Sequence, residues 1–368
     1  MLTPIKVIHS NQTSVSPIAG TAGYLTTLLY AALETGFNTK TVSSITVAAN
    51  VATVTTSTAH GYLVNDVVRI SGANESVFND DVLIATVPST TTFTFALTTA
   101  TASATGTISC CIAPLGFTRV YLGTNKAVFR APSGSRLYLR IDDTNALYSV
   151  VSVYETMTTV DAGTNKMGDV YIKKSASANT TPVEFYLIGD DRTFYLFVNW
   201  NATACGGFAF GDFNSVVVGD AYNCLLFGYA ASAPTYPYSN QYFTYVTFNN
   251  TYVTGQYLMR SYDGLLNNIS VFKANFASGQ MGYGTNFFFP NPPDISMRLL
   301  PIELIEASSG YYRGNMRGLV TPLESSNGFF ANNDRTVVIN GKTYLAIKIY
   351  CYTGYGNCFL DITGPWYS

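Results

Sequence analysis

ITVAANVATVTTSTAHGYLVNDVVRISG, residues 45–72, followed by VLIATVPSTTTFTFALTTATASATGTIS, residues 82–109, reads as a string of half-buried strands. Apolar and hydroxyl side chains alternate through Ile45, Val47, Val51 and Val54, and again through Phe93, Phe95 and Leu97. That period of about two, rich in β-branched residues, is what a strand with one face on a core requires. A His60-Gly61-Tyr62 turn precedes one strand, Asn65-Asp66 mark another turn, and 71–81 is a polar loop. A strand is expected over 82–87, ended by Pro88, then another over 93–97 and a closing one over 105–109. About five strands in roughly 65 residues make a small barrel or sandwich, so residues 44–109 are expected to form a compact inserted β module. The only acidic or basic residues in it are Asp66, Arg69, Glu75, Asp80 and Asp81, with His60 besides.

Upstream, residues 1–43 hold an extended start and one amphipathic segment. Leu25, Leu28, Leu29, Ala32 and Leu33 fall at helical spacing, and Gly36 stands where a helix would stop. So short a helix needs a sheet to pack on, which makes it a core helix more than a docking one. Downstream, residues 110–368 read as one large β-rich domain. Strands are expected over 136–141, 149–157, 184–187, 193–199, 242–248, 298–304, 336–339 and 343–350. Gly189-Asp190-Asp191 and Asn340-Gly341 supply hairpin turns, the second by the strongest short signal there is. The expected fold is therefore mainly β: a large β-sandwich-like domain packed with the N-terminal helix, and a small β module projecting from it. No repeat or heptad supports a solenoid or coiled coil.

Composition narrows the function. Charged residues make up 11% of the 368, against about 25% in an ordinary globular chain. Aromatics reach 14%, led by 27 Tyr and 23 Phe, and the net charge is −2. No apolar run approaches the roughly 18 residues of a spanning helix, and the opening MLTPIKVIHS lacks the apolar stretch of a secretory signal. Without a Lys/Arg cluster, direct nucleic-acid binding is not expected. A Tyr-rich surface with little charge suits association between copies.

Catalytic patterns are absent. The two histidines are His9 and His60, and no nucleophile-elbow, zincin, Walker or paired CxxC motif occurs. Asp142-Asp143, Asp190-Asp191 and Glu303 with Glu306 are the carboxylate pairs a glycan-cleaving site could use, which needs two carboxyls about 5–10 Å apart. Adjacent residues on a strand face opposite ways, and Asp after Gly is ordinary turn chemistry, so no enzyme is expected. Asn79-Asp80-Asp81, Gly211-Asp212 and Gly219-Asp220 offer hard oxygen ligands to calcium, yet turns use Asp without a metal, and no metal or cofactor is expected. Cys351 and Cys358 could close a hairpin disulfide or stand as reduced thiols, the reading preferred for all six cysteines. The aromatic runs Tyr236-Pro237-Tyr238, Phe287-Phe288-Phe289 and Trp366-Tyr367 are the candidate interface residues, suited to packing between subunits or to stacking on glycan.

The segment HGYLVNDVVRISG, with the loop and TFTF strand after it, resembles small β modules of phage tail and other virion proteins, where a His-Gly turn precedes a D-x-V-x-I-S-G strand. Most of the chain is similar to uncharacterised virion structural proteins of tailed bacteriophages. The matching stretches are His9-Ser10, GTAGYLTTLLYAALETGF (20–37), NKAVFRAPSGSRLYLRIDD (125–143), YETMTTVDAG (154–163), FYLIGDDRTFYLFVNW (185–200), GDFNSVVVGDAYNCLLFG (211–228), RGNMRGLVTPLES (313–325) and GKTYLAIK (341–348). The resemblance implies a virion part assembled in the host bacterial cytoplasm, with copies of itself and other virion proteins as partners. A tail, collar or baseplate-proximal component is expected, with a capsid decoration protein or a host-glycan-binding adhesin as the alternatives.

Overall fold

A computed structural model describes residues 4–98, 103–201, 204–229, 255–274, 299–322, 335–351 and 354–367. The fold is mainly β, with a single α-helix among these residues. It is organised by a hairpin in which almost every side chain is apolar. FYLIG (185–189) and TFYLFV (193–198) are buried on both faces. Phe185, Leu187, Phe194, Leu196 and Val198 enter one core, and Tyr186, Ile188, Tyr195 and Phe197 enter a second on the opposite side. A strand without polar positions is the signature of a sheet covered on both sides.

This hairpin lies in a 13-stranded sheet. From Lys6–His9 at one edge, the sheet runs through Phe185–Gly189, Thr193–Asn201, Ala204–Asp212, Cys224–Phe227, Gln256–Arg260, Asn267–Ala274, Leu299–Glu306 and Tyr312–Pro322. It ends with Gly354–Asp361, Lys342–Cys351 and Arg335–Ile339. The second core draws Ile188 and Tyr195 from the start of that order and Leu319, Leu345, Ile347 and Leu360 from its end. The sheet therefore folds back on itself as a sandwich. Asn340 (φ 51°) and Gly341 (φ 77°) make the expected turn of the last hairpin.

The first core lies under a five-stranded antiparallel meander, Thr118–Gly123, Lys126–Arg130, Tyr138–Asp142, Tyr148–Met157 and Gly163–Lys173. The helix Tyr24–Tyr30 packs there too, continued by a π-turn over Ala31–Thr35 and stopped at Gly36, whose φ is 75°. Leu25, Leu28, Leu29, Ala32 and Leu33 are all buried in that core. The helix has no side-chain cap of its own. Asp143 caps it from the meander, Oδ2 accepting from the Leu25 and Thr26 amides at 2.8 and 3.3 Å. Its Oδ1 accepts from Ser149 and from the Lys174 ammonium, and Lys174 also donates to the carbonyls of Thr21 and Asn145. Burial, more than the pairing, sets the titration of both: it pushes Asp143 up and Lys174 down.

The small module is a seven-stranded sheet in the order Asp81–Leu83, Val67–Ala73, Gly106–Ile112, Phe37–Ala48, Val51–Thr56, Thr92–Ala96, Thr86–Ser89. Its first strand leaves the helix directly at Phe37, and its closing strand runs past Ser109 to Ile112, so the sheet is longer at both ends than residues 44–109. The single strand expected over 82–87 is two. At Ile84 and Ala85 the backbone changes partners, the first amide bonding Asp66 O and the second Thr94 O. One segment thus lies at both ends of the strand order, and the sheet closes into a barrel. Pro88 sits inside the second piece instead of ending the strand, as an edge position allows. The barrel shares the first core with the body. Lys6 reaches Asp81 at 2.8 Å and Gln12 donates to Asp66 at 2.7 Å, both across that junction. The strand expected over 242–248 lies outside the described residues.

Candidate functional site

Three turns of the large sheet converge at one place, and the crowns of two of them are apolar. The first is SVVVGDAY, residues 215–222, where Ser215 and Asp220 close a tight loop through a 2.7 Å hydrogen bond and Asp220 also accepts from the Tyr222 amide. The second is SYDGLL, residues 261–266. There Asp263 accepts from the Ser261 hydroxyl (2.6 Å) and the Leu265 amide (3.0 Å), and those bonds hold its carboxyl below the usual range. The third is the turn between Leu299–Glu306 and Tyr312–Pro322, where the Ser309 hydroxyl donates to Glu306 at 2.9 Å. Side chains that bond their own backbone are how Asp and Ser fix such turns.

A buried cation ties the three together. Arg313 is almost wholly enclosed and donates to Glu306 Oε1 at 2.6 Å and to the Arg260 carbonyl at 2.8 Å. Its other terminal nitrogen lies 3.4 Å from Asp220 Oδ2. One guanidinium thus reaches one group from each turn, which suits its planar fork of donors. Asn214–Ser215 pairs with Gly314–Asn315, and the close approach there requires glycine: a Cβ on Gly314 (φ 133°) would lie 1.8 Å from the Asn214 carbonyl oxygen.

On this base stand the exposed side chains. Val216 and Val217 are exposed, Val218 is 100% exposed, and Leu265 and Leu266 are 78% and 64% exposed. Tyrosines stand in the same three turns. Tyr262 and Tyr311 meet edge to face at 4.7 Å between ring centres, Tyr222 lies under Arg260, and the Tyr312 hydroxyl donates to Glu303. Burial first, and then Glu303, raises the Tyr312 hydroxyl above its usual value. Arg260 is spent on Glu155 at 2.5 Å. Single exposed apolar residues mean little, whereas a contiguous group rimmed by polar side chains marks a contact surface.

Of the interface residues expected from sequence, Tyr236, Tyr238, Phe287, Phe288 and Phe289 lie outside the described residues. Trp366 is 7% exposed and packs inward: it meets Tyr195 edge to face, and its Nε1 donates to the Asp361 carbonyl at 2.6 Å. Tyr367 is half-buried, its hydroxyl bonded to Asp191 at 2.9 Å and its ring 3.8 Å below the Arg192 guanidinium. The apolar tip is not among those expected residues. Its signal in the sequence is an aliphatic triplet and a Leu-Leu pair, each set beside a Gly and an Asp.

Most of the titratable candidates are occupied by the fold. His60 is buried, Nδ1 accepting from the Tyr62 amide at 2.9 Å, and His9 stacks on Tyr186. Asp142 pairs with Arg140 at 3.0 Å, and Asp143 caps the helix. Glu303 and Glu306 serve Tyr312 and Arg313. Asp81 is bound by Lys6 and Arg69, Asp212 accepts from the Ser135 amide, and Asp220 faces Arg313. Among the described residues no three His, Cys, Asp or Glu side chains gather as a metal site would need. Cys358 is a free thiol in the second core, where burial raises it well above its ordinary value.

No protein-family model matches the chain, and no curated protein matches it either. Among solved structures it is similar to the Phage phi92 endosialidase, at 11% identity over 86% of this chain and 74% of that one, with a TM-score of 0.20. A superposition that loose carries no activity across.

Proposed function

We propose that this chain is a structural subunit of a tailed-phage virion, a tail, collar or baseplate-proximal component that works by association with copies of itself and with other virion proteins. The observation that carries the reading is the three-turn tip: exposed Val216, Val217, Val218, Leu265 and Leu266 held in place by the buried Arg313. A chain with 11% charged residues and a net charge of −2 offers little repulsion between copies, and its likeness to phage virion sequences supports the setting. Burying an aliphatic side chain at a contact is worth about 1.5–3 kcal/mol, so Val218 and Leu265 together are enough to shift assembly by orders of magnitude.

The test is Val218→Asp combined with Leu265→Asp, read by sedimentation of the purified protein and by incorporation into particles. Both substitutions lie at exposed positions, so folding is expected to be kept while association is lost. Assembly at wild-type levels would remove the tip from the contact. The exposed Tyr262–Tyr311 pair favours a second reading, an adhesin that stacks these rings on a host glycan. That reading requires purified protein to adsorb to host cells and block infection, and fails if it does neither.

A further inference from the structure

Between the two halves of the folded-back sheet, a cation and a carboxylate are buried with unspent hydrogen-bonding capacity. Asp190, in the turn of the central hairpin, uses only Oδ1, which accepts from the amides of Arg192 and Thr193 at 2.8 Å each. Oδ2 is buried and has no partner among the described residues. Arg317 comes from Tyr312–Pro322, in the second half of the strand order, and is 7% exposed. Its Nε and Nη1 are likewise buried and unpartnered among the described residues. Tyr367 brings the two residues to one region, since its hydroxyl bonds Asp191, next to Asp190 in the turn, at 2.9 Å. The Arg317 charge acts on both Asp190 and Asp212, its carbonyl accepts from the Tyr195 hydroxyl at 2.7 Å, and its guanidinium lies 5.6 Å from the Tyr367 ring.

We propose that Asp190 and Arg317 form an internal water-binding site, in which ordered water accepts from Arg317 Nε and Nη1 and donates to Asp190 Oδ2. The chemistry of the lining selects the occupant. Buried donors and acceptors are almost always satisfied, and guanidinium nitrogens buried without partners are costly. An anion would meet Asp190 and Asp212, and a cation would meet Arg317. The occupant has to be neutral and able to accept and donate at once. Water does both, and internal waters typically make about three hydrogen bonds, the number of free groups here. The site would join the two halves of the sheet across the second core, where no direct side-chain bond spans Asp190 and Arg317. This inference is independent of the proposed virion role.

A crystal structure of the full chain at a resolution that orders internal solvent tests it. The expected result is solvent density at about 2.7–3.2 Å from Asp190 Oδ2 and from Nε or Nη1 of Arg317. A direct carboxylate–guanidinium contact, or no density between the two, would overturn the proposal. In solution, 13C-aspartate NMR of Arg317→Met supplies a second readout. With the facing charge removed, the Asp190 titration midpoint is expected to move up, and an unmoved midpoint would mean that Arg317 does not face it.

Discussion

Replacing Arg313 by Met tests whether the tip depends on the cation beneath it. Met keeps most of the aliphatic volume and removes the guanidinium. Glu306, buried to the same degree as Arg313, then loses its partner, Asp220 loses its neighbour, and the Arg260 carbonyl loses a donor. Removing one member of a buried ion pair costs about 3–5 kcal/mol, because the remaining charge is left desolvated. At on the order of 2 °C per kcal/mol for a chain of this size, thermal unfolding is expected about 6–10 °C lower. Protease cleavage within residues 215–222 and 261–266 is expected to quicken before global unfolding, since the Arg313 guanidinium is the buried side chain that reaches both turns. The double variant Arg313→Met, Glu306→Gln removes both charges and is expected to recover at least half of the loss. An Arg313→Met protein within about 1 kcal/mol of wild type would refute the reasoning, as would a double variant no better than the single one.

Asp190 carries a pH signature. Burial raises its carboxyl from 3.8 to about 6, and the folded value lies above the unfolded one. Its contribution to stability is therefore fully present below pH 3.8 and is lost as pH climbs through about 6. A rise of that size corresponds to about 3 kcal/mol. Asp190→Asn is thus expected to gain stability relative to wild type between pH 4 and 7, measured by denaturant unfolding; a difference independent of pH would refute this. Lys174→Met is expected to cost about 3–5 kcal/mol by stranding Asp143 under the helix, with Asp143→Asn restoring part of it in the double variant. Gly318→Ala would place a Cβ 2.1 Å from the Trp366 ring at φ 65°. Overpacking and left-handed backbone together cost roughly 2–5 kcal/mol, visible in the thermal midpoint and in the Trp fluorescence.

Much of the fold was legible because periodicity is local. The alternation in 45–56 and 92–97, the helical spacing of Leu25 to Leu33 and the Asn340-Gly341 turn each depend on a few neighbouring residues, and each appears where expected. Sheet order is not local. Nothing between 82 and 87 announces that Ile84 and Ala85 exchange one partner strand for another, since that choice is made by Asp66 and Thr94. The tip escaped for the same reason: its three turns are distant in sequence and meet through Arg313, the pairing of Asn214–Ser215 with Gly314–Asn315 and the Tyr262–Tyr311 contact. Trp366 shows the opposite failure. Aromatic residues suit interfaces and cores alike, and only the glycine at 318 and the Asp361 carbonyl decide that this ring turns inward.

The closure of the small barrel has a consequence for crowding. An open sheet presents unpaired amides and carbonyls along its rim, and at high local concentration such rims recruit strands from neighbouring chains. Residues 81–89 bond to Val67–Ala73 through their first part and to Thr92–Ala96 through their last, which leaves that module no long free rim. Wherever many copies stand side by side, the barrel can meet its neighbours only through side chains. It is thereby protected from runaway strand exchange in spite of its scarcity of charge.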